Sequence, residues 1–175
     1  MEFELGMIHG RFHPFHLEHL RYLRLAERRC ERLIVGITNP DPSTIVPDER
    51  SSHRHRPEEN PYTFFERLLM VDAVIAEEGI DRSRVHIVPF PIHHPERWRY
   101  YAPENTVMFV VAYSDWERSK AERLRRAGYR VELVESFEKG ISGTEVRRLM
   151  REGGDWKRLV PASVARLIEG WKIEG

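Results

Sequence analysis

The sequence predicts an α/β protein, a doubly wound, Rossmann-like, five-stranded parallel sheet with a helical C-terminal tail. Three observations predict it. Short apolar runs of strand length alternate with longer segments of helical periodicity. Gly10 and Pro14 separate the first run from the first helix, and Pro161 restarts the tail. At 175 residues, 41% of them hydrophobic, the chain suits a single domain, residues 1–175, with one buried core.

Phe3 to Ile8 is an apolar run ending at Gly10, which reads as a buried strand. From Leu17 the apolar positions Leu17, Leu20, Leu23, Ala26 and Cys30 recur at helical spacing, which places Cys30 on the inward side of the first helix. Arg32 to Ile37 is a second strand, Phe64 to Glu77 a helix, Val85 to Val88 a third strand and Thr106 to Val111 a fourth. A helix over Asp115 to Ala127 and a strand over Tyr129 to Val134 complete the alternation. The tail, about 142–172, is helical from Thr144, breaks at Gly153-Gly154 and resumes at Pro161, where a proline suits a first helical turn. Its Trp156, Leu159 and Trp171 are expected to pack on the sheet. Thr38 to Asn60, with Pro40, Pro42, Pro47 and Pro57 and a charged run from Asp48 to Arg56, reads as a mobile loop (about 38–60). Within it His53-Arg54-His55-Arg56 is expected to be solvated rather than to bind phosphate or metal.

Formal net charge is zero, with 28 basic and 28 acidic residues, so the chain lacks the cationic field that nucleic-acid binders use. The lone cysteine, Cys30, cannot form an internal disulfide and is expected in the core. No stretch approaches the ~18 apolar residues of a membrane span, and no charged leader opens the chain. A soluble cytoplasmic protein without membrane or nucleic-acid partners is the expectation.

Two segments carry the chemistry. Ile8-His9-Gly10-Arg11-Phe12 runs into His13-Pro14-Phe15-His16-Leu17-Glu18-His19, so an arginine and two histidines stand where a strand turns into a helix. Gly10 permits a tight turn and close approach by a ligand, and the free N–H groups of a helix start attract anions. His16 and His19, three apart, share one helical face and can address one group. Far downstream, Gly140-Ile141-Ser142-Gly143-Thr144-Glu145-Val146-Arg147-Arg148 opens another helix with hydroxyls and places Arg147 one turn in. Ser142 and Glu145 also fit a capping box, which uses the same donors as phosphate binding. His93-His94 has no third ligand at a zinc-like spacing and reads as pocket lining or surface, so no metal site is assigned to the protein.

Together these segments resemble a known family. Gly10 to His19 is similar to the GRFxPFHxGH signature of the nucleotidyltransferases with an HxGH motif, and Ile141 to Arg147 matches their ISxTxxR motif. Within that superfamily the chain is most similar, over residues 3–170, to the archaeal-type nicotinamide-nucleotide adenylyltransferases. Asn60-Pro61-Tyr62-Thr63 followed by Glu66-Arg67 resembles their NPF-T-x-x-ER segment, and Gly154-Asp155-Trp156 continues the likeness. Two departures stand out. Glu18 replaces the motif glycine, and Pro89 to Trp98 replaces a stretch in which the family carries acidic and asparagine residues before an aromatic that stacks on nicotinamide.

The resemblance implies transfer of AMP from ATP to a phosphomonoester, nicotinamide or nicotinate mononucleotide, forming a dinucleotide and releasing pyrophosphate. It implies His16, His19, Arg11 and Arg147 as the catalytic set, Gly10, Phe12, Ser142 and Thr144 as ATP contacts, and Trp98 and Arg67 as acceptor contacts. Mg²⁺ would arrive with ATP on the phosphates, and assembly into a homo-oligomer is implied as well. The changed residues keep open a cytidylyl- or adenylyltransferase acting on a different phosphorylated small molecule. A nucleotide-binding sensor without turnover is the alternative of another class.

Overall fold

The computed structural model describes residues 1–47, 55–135 and 140–174. Among these residues one sheet carries five parallel strands in the order β3-β2-β1-β4-β5: β1 (Phe3–Gly10), β2 (Cys30–Thr38), β3 (Val85–Phe90), β4 (Val107–Ala112) and β5 (Arg130–Glu135). Helices α1 (Leu17–Glu27), α2 (Phe64–Glu77), α3 (Asp115–Arg126), α4 (Gly143–Glu152) and α5 (Ala162–Glu174) connect and flank them. This is the expected Rossmann-like architecture, with the chain reversing direction across the sheet at β1 and β4. Strand order and handedness leave a crevice at such a reversal, beyond the carboxyl ends of the strands.

Alternation along β1 sends its side chains to two different cores. Ile8 faces a cluster with Phe15, Leu23 and Val35 that the α2 residues Met70, Val71 and Val74 and the tail residues Val146 and Val164 complete. Leu5 and Met7 face the opposite side, against Ile34, Phe90, Trp98, Met108, Ala121 and Leu124. Trp156 and Leu159 are buried in the first cluster and Trp171 packs against it, as expected of the tail.

Local signals set the helix ends. Thr63 and Glu66 form a reciprocal capping box at α2, with bonds of 2.9 and 3.0 Å. Ser142 caps α4 by accepting from the Glu145 N–H at 3.1 Å, and Gly153 ends that helix at φ 70°. Cys30 corrects one expectation: α1 stops at Glu27, so Cys30 is not on the helix but opens β2. The spacing from Ala26 to Cys30 mimics another helical turn, yet the chain has already entered the sheet. Burial against Gly6 pushes the Cys30 thiol up to about 11. The segment expected to be an unstructured loop holds short 3-10 turns at Pro42–Thr44 and Pro57–Glu59. Its residues 48–54, including His53 and Arg54, lie outside the described residues.

One irregularity in the sheet shapes everything above it. β1 runs to Gly10, but its ladder with β4 pairs only Gly6 with Val107 and Met7 with Met108. Beyond that point the Tyr22 hydroxyl of α1 stands between the strands, donating to the Phe109 carbonyl and bonded to the His9 backbone. Enclosure raises the Tyr22 phenol well above its ordinary pKa, so it stays protonated. Tyr22→Phe leaves these backbone groups without their bridge, and the expected loss of stability is about 2 kcal/mol or more by urea denaturation; an unchanged midpoint contradicts the bridging role.

Candidate active site

The chain leaves β1 through a tight turn that gathers the functional side chains. Phe12 adopts φ 57°, a left-handed conformation that costs a non-glycine residue about 1–2 kcal/mol. Its ring is fully buried between Phe15 and the edge of His19, and burying a phenylalanine contributes about 1.5–3 kcal/mol, which offsets the strain. Phe12, named above as an ATP contact, therefore acts from beneath, as the floor on which His19 rests. Gly10 is needed because a Cβ there would lie 3.0 Å from the Phe12 ring.

His16 is the N-cap of α1 and His19 stands one turn in. Their rings stack with centroids 3.6 Å apart and planes 16° from parallel. The His16 backbone N–H donates to His19 Nδ1 at 3.1 Å. That bond makes Nδ1 the acceptor, so neutral His19 carries its proton on Nε2, the opposite edge of the ring. Two imidazoles and a helix start thus line the same cleft.

Arg11 and Arg147, separated by more than a hundred positions, both line it too. Arg147 is 4% exposed; it donates to the His13 carbonyl at 2.7 Å and to Thr144 Oγ1 at 3.3 Å, and pairs with the Glu59 carboxylate. Gly143 makes room for it, since a Cβ there would lie 2.7 Å from Arg147 Nη1. Arg11 donates to the Glu59 carbonyl at 3.2 Å. Residue 59 therefore ties both guanidinium groups to one wall. Thr144 acts through Arg147, and the Ser142 hydroxyl is engaged as the α4 cap.

Two implied acceptor contacts are corrected. Trp98 is 1% exposed, stacked on Phe90 at 5.7 Å with its indole N–H donating to the Pro91 carbonyl at 2.9 Å, so its face is not available to a ligand. The apolar run beside it draws the ring into the core. Arg67 is equally buried: its guanidinium donates to the carbonyls of Thr38 (2.6 Å), Asn39 (2.8 Å), Arg11 (3.0 Å) and Thr63 (3.2 Å). Burial brings its pKa down to about 10, still charged at pH 7. It fastens the ends of the walls instead of touching the acceptor.

The residues that line the cleft come from β1 and the turn after it, α1, the end of β2, β4, α3 and α4. Glu18, in place of the motif glycine, lines it; Arg21 (3.2 Å) and the Tyr113 hydroxyl (3.4 Å) hold its carboxylate. Burial, then Glu18, pushes the Tyr113 phenol up to about 12. His9, Tyr113, Trp116 and Lys120 also line the cleft, and sequence reasoning assigned them no role. A signal for His9 existed: alternation with Leu5 and Met7 points it inward, where an apolar residue belongs. His93 lines the cleft as expected, beside Trp116 at 6.1 Å. No group of three His, Cys, Asp or Glu side chains among the described residues could hold a metal ion, and none of their helices is long and apolar enough to cross a membrane.

Residues 7–149 match the Cytidylyltransferase-like family, and the chain belongs to that family, within the HxGH nucleotidyltransferase superfamily. It is a nucleotidyltransferase. It is 46% identical to the phosphonoformate cytidylyltransferase of Streptomyces viridochromogenes over 170 residues, covering 97% of this chain and 92% of the relative. The nicotinamide-nucleotide adenylyltransferase of Methanothrix thermoacetophila is 33% identical over 166 residues, covering 94% and 88%. Among solved structures, a bifunctional NMN adenylyltransferase/ADP ribose pyrophosphatase from Francisella tularensis, complexed with AMP and a manganese ion, superposes with a TM-score of 0.65 at 19% identity. The match covers 90% of this chain but only 44% of that one, and supports the fold.

His9 and His13 have pKa values well below the ordinary imidazole value, through burial first and then through Lys120 for His9 and Arg67, Arg11 and Arg147 for His13. The unfolded chain takes up protons near pH 6.5 that the folded state refuses, so stability is complete above that pH and falls as pH drops below it. Each such histidine contributes about 1.4 kcal/mol per pH unit. Unfolding free energy at pH 5.5 is expected to lie about 2–3 kcal/mol under that at pH 7.5, with His9→Leu removing about half of the drop; a variant with the full drop contradicts the assignment.

Proposed function

We propose that the protein transfers CMP from CTP to a small acceptor bearing a phosphonate or phosphate group, with release of pyrophosphate. The observation that carries this reading is the burial of Trp98: the aromatic that the resemblance assigned to nicotinamide is spent on the core, while His9, His93 and Lys120 line the cleft together with Tyr113 and Trp116. The 46% identity to a phosphonoformate cytidylyltransferase over nearly the whole chain favours the same side. Glu18 and Tyr113 suit a nucleoside rather than a phosphate, because a carboxylate accepts hydrogen bonds from hydroxyl and amino groups.

In this reaction an acceptor oxygen forms a bond to the α-phosphorus of CTP as the bond to the β-phosphate oxygen breaks, and the electron pair leaves with pyrophosphate. A phosphate with a second pKa near ~6 is already largely ionised at pH 7, so no general base is required. The protein's task is to hold two anions in line and to neutralise charge on the departing oxygen. The stacked His16 and His19, with the first N–H groups of α1, supply donors fixed before the substrate arrives, and Arg11 adds charge at the cleft wall. Mg²⁺ belongs to the substrate here. The cleft carboxylates Glu18 and Glu117 are engaged with Arg21 and Ser114, so the ion would travel on the triphosphate and neutralise its charge.

A panel of CTP and ATP against phosphonoformate, simple phosphomonoesters and nicotinamide mononucleotide, read by pyrophosphate release, tests this. CTP with phosphonoformate is expected to give kcat/KM on the order of 10⁴ M⁻¹ s⁻¹ or higher, at least ~100-fold above ATP with nicotinamide mononucleotide. The reverse preference contradicts the proposal and restores the adenylyltransferase reading.

A further inference from the structure

Three histidines stand between His13 and His19, and the first of them is held as the last one is. His13 is 2% exposed, in the turn between β1 and α1, and its carbonyl accepts from Arg147 at 2.7 Å. Its ring stacks on that of Tyr62 at 6.1 Å with planes 16° apart, and the Tyr62 backbone N–H donates to His13 Nδ1 at 3.3 Å. A backbone donor on Nδ1 puts the proton of a neutral imidazole on Nε2, as the His16 N–H does for His19. Burial first, then Arg67, Arg11 and Arg147, keeps the His13 ring neutral. His13 Nε2 is buried and has no hydrogen-bond partner among the described residues. A buried N–H fixed in direction and left without an acceptor is costly, and calls for a partner. The ring lines the cleft with Arg11, His16, His19 and Arg147, at a wall it shares with a neighbouring hollow lined by Asn39 and Tyr62. Net charge does not select the ligand at this wall, because Arg147 is paired with Glu59. An oriented N–H does.

We infer that His13 Nε2–H is a third imidazole donor to the bound substrates, directed at an oxygen of a phosphate or phosphonate group. Such an oxygen carries negative charge and accepts, and the N–H can only donate. An amino group at the same place would meet it donor to donor. Two oxyanions enter the cleft in a nucleotidyl transfer: the triphosphate of the nucleotide and the phosphate or phosphonate of the acceptor. Both offer the same chemistry to this N–H. The assignment rests on the proposed reaction only for the identity of the acceptor, since inorganic triphosphate presents the nucleotide's oxygens without a base.

Two substitutions in the full chain separate the two edges of the ring. His13→Asn keeps an acceptor for the Tyr62 N–H and loses the Nε2 donor, whereas His13→Gln restores a side-chain N–H near Nε2 and gives up the Tyr62 bond. With the nucleotide and acceptor that release the most pyrophosphate, His13→Asn is expected to lower kcat/KM about 10–100-fold and His13→Gln to recover it to within about fivefold of wild type. Full activity in His13→Asn overturns the donor role and leaves only the structural bond to Tyr62. If both variants lose activity, nitrogen-15 NMR of the wild-type histidines decides, with the His13 signal identified by its absence from His13→Gln. The expected ring is protonated on Nε2, with that N–H resonance displaced by inorganic triphosphate, by the active acceptor added with nucleotide, or by both. Displacement by triphosphate assigns the N–H to the nucleotide, and displacement by the acceptor alone assigns it to the acceptor. A ring protonated on Nδ1, or an N–H resonance that neither ligand displaces, overturns the inference. Displacement by triphosphate in a protein that does not turn over CTP with phosphonoformate refutes the proposed reaction and keeps the role of His13.

Discussion

The parting of β1 from β4 is the constraint on which the rest of the structure depends. A ladder that continued past Met7 would bring the ends of the central strands together and leave no room above them. The Tyr22 hydroxyl takes the place of the missing rungs, meeting the His9 backbone and the Phe109 carbonyl. A buried backbone group must find a partner. Here the partner comes from the very helix whose first turn carries His16 and His19, so the opening of the sheet and the placement of the imidazoles are one packing event. The β1 residues His9 and Gly10 stay paired with Gly36 and Ile37 of β2 but not with β4, and they line the cleft.

Guanidinium groups hold the walls once they are apart. Arg67 spans four carbonyl oxygens from the ends of β2, the β1 turn and the start of α2, and Arg147 joins the His13 carbonyl to Glu59. Each buried cation is compensated by fixed dipoles or by a carboxylate, as burial of charge requires. The consequence for chemistry is a division of labour. Arg67 and Arg147, named from sequence as substrate contacts, are engaged in holding the scaffold, and in the proposed reaction the preset donors for the phosphates come mainly from the histidine pair and the start of α1. Donors that need no reorganisation are the kind that stabilise charge as it develops.

Most of the fold was legible because it follows from period and punctuation. Helix α2 falls on Phe64–Glu77, as its pattern predicted, and the five strands differ from their predicted spans by a few terminal residues. Cys30 misled because a strand residue after a short turn can fall on a helical spacing by accident. For the site, the motif residues Arg11, His16, His19 and Arg147 do converge on one cleft. What remained hidden was which of them are already occupied. Sequence shows that Arg67 and Trp98 are present, but whether a guanidinium faces carbonyls or solvent depends on contacts with Thr38 and Asn39, and Trp98 on Pro91, that no spacing encodes. His9 is the opposite case: a polar intrusion into the apolar alternation of β1 that is visible in the sequence itself.

The central claim is that the stacked His16–His19 pair stabilises charge on the phosphates during transfer, beyond merely binding the nucleotide. The most direct measurement is the pair of values kcat, from pyrophosphate release, and donor Kd, from calorimetry, for His19→Ala against wild type. The account predicts a fall in kcat of about 10²–10³ with donor Kd changed by less than about threefold, the signature of a donor used in the transition state. A kcat within about threefold of wild type, in a variant that folds and binds donor normally, contradicts it.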